Sequence, residues 1–143
     1  MHHENSIAAL KLGLDVLIEK PISATVKEAK EIDKIANDNN CKVLVGHQRR
    51  FYPLVLKTKK IISDKKIGKV IGLSGVWGLR KDKDYFEPEW RKKVSAGPII
   101  TNLIHDIDYL RFIFGEIHSV SSFSSNMINN FEKEDVVSTN IQF

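Results

Sequence analysis

A lysine at the end of a short apolar run is the first residue whose type and position suggest chemistry. Lys20 follows the run Asp15–Glu19 and precedes Pro21. Proline cannot donate to a sheet ladder, so the strand should end there, and the bond before it can be cis. Ligands of open α/β sheets bind at the carboxyl ends of strands. Lys20 is therefore either a working lysine beside a ligand crevice or a solvated lysine at an ordinary strand exit.

A histidine in the strongest helical pattern of the chain is the second candidate. Thr101, His105 and Asp108 stand at i, i+4 and i+7, so they share one helix face. A histidine can be a general acid or base when a carboxylate orients it, and Asp106 and Asp108 are the candidates. The alternative is a histidine at the core edge that bonds to the backbone. No metal site is expected, because no second His or Cys stands at tetrahedral spacing.

Two further groups of side chains could contact a ligand. His47, Arg49 and Arg50 follow a second apolar run, where arginines could recognise phosphate or carboxylate, or could form salt bridges at a domain junction. Trp90 and Arg91 lie in a charged segment without periodicity. The indole could pack over a flat ligand ring or could anchor the loop to the core.

The composition is that of a globular chain, with 42% hydrophobic and 28% charged residues among 143. No apolar run approaches the roughly 20 residues that span a membrane, and the N-terminus lacks a signal-peptide pattern. The single cysteine, Cys41, cannot form an internal disulfide and is expected to be buried filler, which suits a reducing cytoplasm.

The net charge is +4, and the basic residues are clustered in two stretches. Such clusters are typical of nucleic-acid binding. The chain has no helix-turn-helix, zinc or RNA-recognition signature, however, so a solvated helix face and a loop near an anionic ligand are preferred. We expect neither a nucleic-acid nor a membrane partner.

The elements that must position these residues fall into two groups, the first α/β in class. An amphipathic helix precedes two apolar runs, residues 15–19 and 42–46, which are expected to be strands buried on both faces. Between them, Thr25 and Glu28 have capping-box spacing at the start of a helix. This order predicts a βαβ unit, so residues 1–51 are expected to be the C-terminal part of a Rossmann-type, doubly wound parallel sheet.

Residues 52–143 are expected to form part of an α+β domain with an open antiparallel sheet. Its expected elements are a short helix after Pro53, a strand at 71–79, a long loop at 80–96, a main helix at 100–114, and antiparallel strands at 120–125 and 136–143. A two-stranded sheet is marginal alone, so the last strand should pair with further chain or with a partner molecule. We therefore expect the chain to be a fragment.

The motifs, taken together and in order, resemble the Gfo/Idh/MocA oxidoreductases, the superfamily of glucose-fructose oxidoreductase and inositol dehydrogenase. They are Glu19-Lys20-Pro21, the Arg-Phe-x-Pro within residues 46–53, and the stretch from Gly97-Pro98 through Ile104-His105-Asp106-Ile107-Asp108 to Phe114-Gly115-Glu116-Ile117. The resemblance covers essentially the whole chain. It implies a Rossmann domain that binds NAD or NADP, an α+β domain with an open antiparallel sheet, and hydride transfer to or from a sugar, inositol or related polyol.

The resemblance also implies roles for individual residues. Lys20 would hydrogen-bond the nicotinamide ribose and the reacting oxygen, and His105 would exchange the hydroxyl proton, so both would be catalytic. The residues expected at the cofactor are Glu19, Lys20, Pro21, His47, Arg49, Trp90 and Arg91. Those expected at the substrate are Lys20, Arg91, Thr101, Asn102 and His105.

This chain departs from the family pattern in three places. Many relatives have a glycine triplet and an aspartate four residues before the histidine, where this chain has Ser95-Ala96-Gly97 and Thr101. Threonine cannot ionise to relay a proton, so a subgroup variant is expected. No G-x-G-x-x-G occurs to cradle a pyrophosphate, so we expect no tight dinucleotide binding and no turnover. The alternative function is a non-catalytic module that forms homo-oligomers through its exposed sheet.

Overall fold

A computed structural model describes residues 2–143, which form two compact units. The first unit ends at Gln48 and the second is Arg49–Phe143. The main elements are α1 (His2–Lys11), β1 (Val16–Ile18), α2 (Val26–Asp38), β2 (Val43–Val45), α3 (Pro53–Ser63), α4 (Ile104–Phe114), β3 (Ser119–Ser125) and β4 (Val136–Gln142). Short 3₁₀ turns lie at Gln48–Phe51, Lys83–Phe86, Glu89–Lys92 and Val94–Ala96, and a π-helical turn lies at Ile99–Leu103.

The first unit contains the predicted βαβ arrangement. β1 and β2 pair in parallel, with Val16 opposite Val43, and α2 connects them. The predicted capping box begins α2: the Thr25 hydroxyl accepts from the Glu28 N–H, and the Glu28 carboxylate accepts from the Thr25 N–H. Two of the backbone donors at this helix start are thereby satisfied.

A small apolar core holds the first unit together. Leu10 and Ile32 are fully buried at its centre, and Ile18 and Ala36 complete the buried cluster. Cys41 packs against this cluster but is only half-buried, whereas the sequence predicted a buried residue. Helix side chains from α1 and α2 therefore meet β1 in one shared core.

The prediction that β1 and β2 are buried on both faces is wrong for the described residues. Leu17 and Leu44, at the centres of the two strands, are mostly exposed. Successive strand side chains point to opposite faces, and the core packs only on the face that carries Ile18. An apolar run thus identified the strands but not how many of their faces are covered.

The second unit contains the predicted antiparallel pair of strands. β3 and β4 pair from Ser119 opposite Gln142 to Ser125 opposite Val136. Along β4, alternate residues are half-buried and exposed, so Val137, Thr139 and Ile141 lie on one face. Among residues 2–143, no helix is both long enough and apolar enough to cross a bilayer.

The strand predicted at residues 71–79 is wrong, because residues 68–82 have no regular secondary structure. Ile71 is 96% exposed and Val76 is 98% exposed. A strand needs a neighbour for its ladder, and β-propensity alone does not provide one. Gly72, Gly75 and Gly78 lower the strand propensity of residues 71–79 further.

Two other predictions in this unit need correction. The segment 80–96, predicted as an aperiodic loop, contains three 3₁₀ turns. The helix predicted to start near residue 100 begins as the π-helical turn Ile99–Leu103 and continues as α4. Because a π turn holds more residues than an α turn, Thr101 does not keep the ideal α-helical relation to His105 and Asp108.

Candidate functional site

The ends of the two parallel strands meet at one edge of the first unit. Lys20 lies just beyond β1, and its peptide bond to Pro21 is cis. The N–H of Gly46, just beyond β2, donates to the carbonyl of Ile18 at 2.8 Å. The Glu19 carboxylate covers Gly46 so closely that an added Cβ would stand 3.1 Å from its Oε2 atom.

This edge brings together four of the predicted cofactor-binding residues. Glu19, Lys20 and Pro21 follow β1, and His47 follows β2, where its N–H donates to the carbonyl of Val45 at 2.7 Å. The close approach of Glu19 to Gly46 brings the residues that follow β1 next to the segment that follows β2. The side chains therefore lie at the carboxyl edge of the sheet, where ligands of α/β sheets bind.

A connected set of hydrogen bonds precedes His105 in the second unit. The Thr101 hydroxyl donates to the Gly97 carbonyl at 2.9 Å, and Asn102 Nδ2 donates to the Thr101 hydroxyl at 2.9 Å. His105 lies in the first turn of α4 and is buried. Three predicted site residues thus stand on consecutive helical segments, in a different unit from Lys20.

The two aspartates considered as partners of His105 are engaged by arginines. Arg49 Nη1 donates to Asp106 Oδ1 at 3.1 Å. Arg50 donates twice to Asp108, from Nε at 2.8 Å and from Nη2 at 2.6 Å. The hydrogen bonds to Asp108 raise the pKa of the Arg50 guanidinium. Of the two interpretations left open for these arginines, the structure supports salt bridges, both within the second unit.

The loop tryptophan and its neighbouring arginine have distinct environments. Arg91 Nη1 donates to the Tyr85 carbonyl at 2.8 Å, and its guanidinium lies 4.3 Å from the centroid of the Tyr85 ring. Trp90 is 58% exposed. The exposure of Trp90 does not support it as the anchor of this loop, and the contacts of Arg91 with Tyr85 hold two parts of the loop to each other.

Tyr109 is a polar residue that the sequence did not single out. It lines a cavity of about 460 Å³ beside α3 and α4, together with Arg49 and Asp106. Burial, together with the negative charge of Asp106, raises the pKa of the Tyr109 phenol. Its spacing of three residues from Asp106 in the predicted main helix is the sequence signal that could have placed the carboxylate beside it.

The raised pKa of Tyr109 predicts a loss of stability in alkali. The folded state favours the neutral phenol, so this contribution is complete below the pKa of a free tyrosine, about 10. It is lost as the pH rises through the higher value of the folded state. Phenolate absorbance should show that one of the three tyrosines ionises at a higher pH than the other two. Tyr109→Phe should remove this late step. In the control Tyr52→Phe the late step should remain; its loss there would contradict the assignment.

The fold defines a class of protein: a Rossmann-type unit followed by an α+β unit with an antiparallel sheet. Residues 1–47 match the model of the oxidoreductase family with the NAD-binding Rossmann fold, and residues 55–143 match the GFO/IDH/MocA C-terminal domain. The chain belongs to the Gfo/Idh/MocA family, as its motifs predicted.

Known relatives are similar along nearly the whole chain. Levoglucosan dehydrogenase from Pseudarthrobacter phenanthrenivorans is 30% identical, over 90% of this chain and 34% of the relative. The scyllo-inositol 2-dehydrogenase (NAD(+)) of Bacillus subtilis is 31% identical, over 93% of this chain and 38% of the relative. The solved NAD-binding protein from Listeria innocua has a TM-score of 0.77 and 27% identity, over 99% of this chain and 42% of that structure. The chain thus spans between 34% and 42% of the length of these relatives.

Proposed function

We propose that this chain carries the nicotinamide-facing and substrate-facing part of an NAD(P)-dependent oxidoreductase. Its substrate is a CH–OH group of a sugar, inositol or related polyol. The observation that supports this most is the position of Lys20 at the carboxyl end of β1, in a βαβ unit of an NAD-binding family. The levoglucosan and scyllo-inositol dehydrogenases among the relatives favour the same substrate class.

The chemistry assigned to this chain is the placement of the substrate and the movement of one proton. A bound NAD(P) supplies the hydride acceptor or donor. The Lys20 ammonium donates hydrogen bonds to the reacting oxygen and to the nicotinamide ribose. His105 takes or returns the hydroxyl proton, which an imidazole can do near neutral pH. Thr101 and Asn102 bind substrate hydroxyls, since threonine cannot ionise to relay a proton.

The residues present fit one end of a dinucleotide. At the strand edge, Glu19, Lys20, Pro21 and His47 form the cofactor side, within a proposed cofactor domain of residues 1–51. Residues 52–143 form the proposed substrate and oligomerisation domain, in which Trp90 and Arg91 flank the nicotinamide and the substrate. Arg49 is proposed to bind the cofactor, with its guanidinium held by the ion pair to Asp106. The 143 residues contain no G-x-G-x-x-G to hold the pyrophosphate. This chain should therefore bind NADH weakly and should not catalyse turnover of a substrate.

The proposed role of Lys20 predicts weak but lysine-dependent binding of NADH. Nicotinamide fluorescence should show no saturation at micromolar NADH; saturation there would contradict the expected weakness. At millimolar NADH, saturation-transfer NMR should detect contact with the nicotinamide and ribose protons. Lys20→Met should abolish this signal, because it removes the donor. The control Lys42→Met, at an exposed lysine beside β2, should leave it unchanged, and equal losses in both variants would refute the role of Lys20.

A second candidate function, assembly through the C-terminal sheet, is favoured by exposed apolar side chains. Val120, Phe123 and Val136 are exposed on β3 and β4, which within residues 2–143 pair only with each other. Open strand edges of this kind can pair with another chain. Light scattering that shows a monomer over a wide concentration range would exclude this alternative.

A further inference from the structure

A carboxylate from the segment before β4 lies at the start of the helical segment that carries the second half of the candidate site. Glu134 Oε1 accepts a hydrogen bond from the Ile99 N–H at 2.9 Å. The same carboxylate lies against the buried Gly97, where an added Cβ would overlap Glu134 Oε2. Any side chain at position 97 would therefore collide with Glu134 in its observed place.

The interaction is electrostatically favourable. The first N–H groups of a helical segment lack acceptors within the segment and carry partial positive charge. Pro98 has no N–H, so the Ile99 N–H is the first available donor after Gly97. A carboxylate acceptor makes this a charge-assisted hydrogen bond, stronger than one between neutral groups.

The contact with Glu134 continues into the proposed substrate-binding side chains. The carbonyl of Gly97 accepts from the Thr101 N–H at 3.0 Å and from the Thr101 hydroxyl at 2.9 Å. That hydroxyl accepts from Asn102 Nδ2. A displacement of the backbone at Gly97 would therefore move both side chains, and His105 follows in the next turn.

Glu134 is itself held in place by its neighbours. The Glu132 N–H donates to the Lys92 carbonyl at 3.1 Å, and the Asp135 N–H donates to the Ser125 carbonyl at 2.7 Å. Between them, Lys133 is buried, with its Nζ 4.8 Å from the centroid of the Phe86 ring. The backbone on both sides of Glu134 is thus anchored, which lets its carboxylate act as a fixed support.

We propose that Glu134 is a positioning residue for the candidate site. Its carboxylate fixes the backbone from Gly97 to Ile99 and so sets the orientation of Thr101, Asn102 and His105. What these residues then do depends on the proposed function. The effect of Glu134 on their orientation depends only on contacts within the second unit.

The first test compares Glu134 with a matched carboxylate by NMR of the full 143-residue chain. Glu134→Ala should shift the amide signals of Ile99 and Thr101, the Asn102 side-chain amide and the His105 imidazole. The control Glu132→Ala removes a carboxylate that pairs with the exposed Lys93, and it should shift these signals much less. Glu134→Gln should restore them towards wild type, because its amide oxygen can still accept from Ile99. Equal shifts in the Ala variants would overturn the proposal.

The second test uses Gly97→Ala, which disturbs the same contact without removing the carboxylate. In the wild-type background, Gly97→Ala should shift the same signals. In a Glu134→Ala background, it should add little further shift, because the carboxylate with which the new methyl group collides is then absent. Additive shifts, or no shift in Gly97→Ala, would overturn the proposal even if Glu134→Ala does not fold. Neither NMR test uses NADH. If NADH binding proved independent of Lys20, the proposed function would be refuted, but the positioning role of Glu134 would still be tested by these shifts.

Discussion

The Arg50→Ala variant is expected to lower the free energy of unfolding of the second unit by about 3 kcal/mol, because it removes the bidentate partner of a buried carboxylate. Asp108 is 5% exposed and accepts two hydrogen bonds from Arg50. The Arg50 side chain is itself 37% exposed, which places the loss at the lower end of the range for buried ion pairs. Asp108 lies one turn after His105, so the same change should disturb the candidate site.

The chain offers both a local probe and a matched control for this measurement. Its two tryptophans, Trp77 and Trp90, both lie in the second unit, so fluorescence during urea unfolding reports on that unit. The control Arg111→Ala breaks the exposed ion pair between Arg111, on the helix that carries Asp108, and Glu116 just beyond that helix; it should cost less than about 1 kcal/mol. If Arg50→Ala and Arg111→Ala lowered the free energy of unfolding equally, the burial of Asp108 would not explain the expected effect. Arg50→Lys should not restore stability, since an ammonium cannot make two parallel hydrogen bonds.

The Ile32→Ala variant is expected to lower the stability of the first unit by about 3 kcal/mol, because it opens a cavity in a small core. Ile32 is fully buried and packs in one cluster with Leu10, Ile18 and Ala36. With so few buried side chains, little else can move in to fill the space. The strand pairing that positions Lys20 depends on this cluster and should weaken with it.

This loss can be measured by amide hydrogen exchange, since the first unit contains no tryptophan or tyrosine. The Val16 N–H donates to the Lys42 carbonyl across the strand pair and should lose protection in Ile32→Ala. The control Val26→Ala alters an exposed residue of the same helix and should change stability by no more than about 0.5 kcal/mol. Unchanged exchange at Val16 in Ile32→Ala would show that this core does not support the sheet.

Local sequence signals predicted the elements that depend on neighbouring residues. The spacing of Thr25 and Glu28 predicted the capping box of α2, which the structure confirms. The apolar runs around Leu17 and Leu44 predicted the parallel strands, and their joint order with the later motifs predicted the family. These predictions succeed because hydrophobic periodicity and capping act over a few residues.

Contacts between distant residues could not be predicted in this way. Alternation at residues 71–79 predicted a strand, but the sequence could not show that no neighbouring strand pairs with it in the described chain. Asp106 and Asp108 were singled out for their spacing from His105, but that spacing could not show that arginines 57 and 58 residues earlier would bind them. Hydrogen-bond partners are chosen by the packing of whole elements, which local spacing does not record.

By itself, the sequence determined the family, the βαβ unit, the antiparallel strands, and the lysine and histidine that suggest dehydrogenase chemistry. Only the tertiary structure decided which groups support them. It placed Glu19 over Gly46, Arg50 on Asp108, and Glu134 against Gly97. Each of these contacts joins residues at least 27 positions apart, so it exists only once the packing of the core has brought two distant segments together.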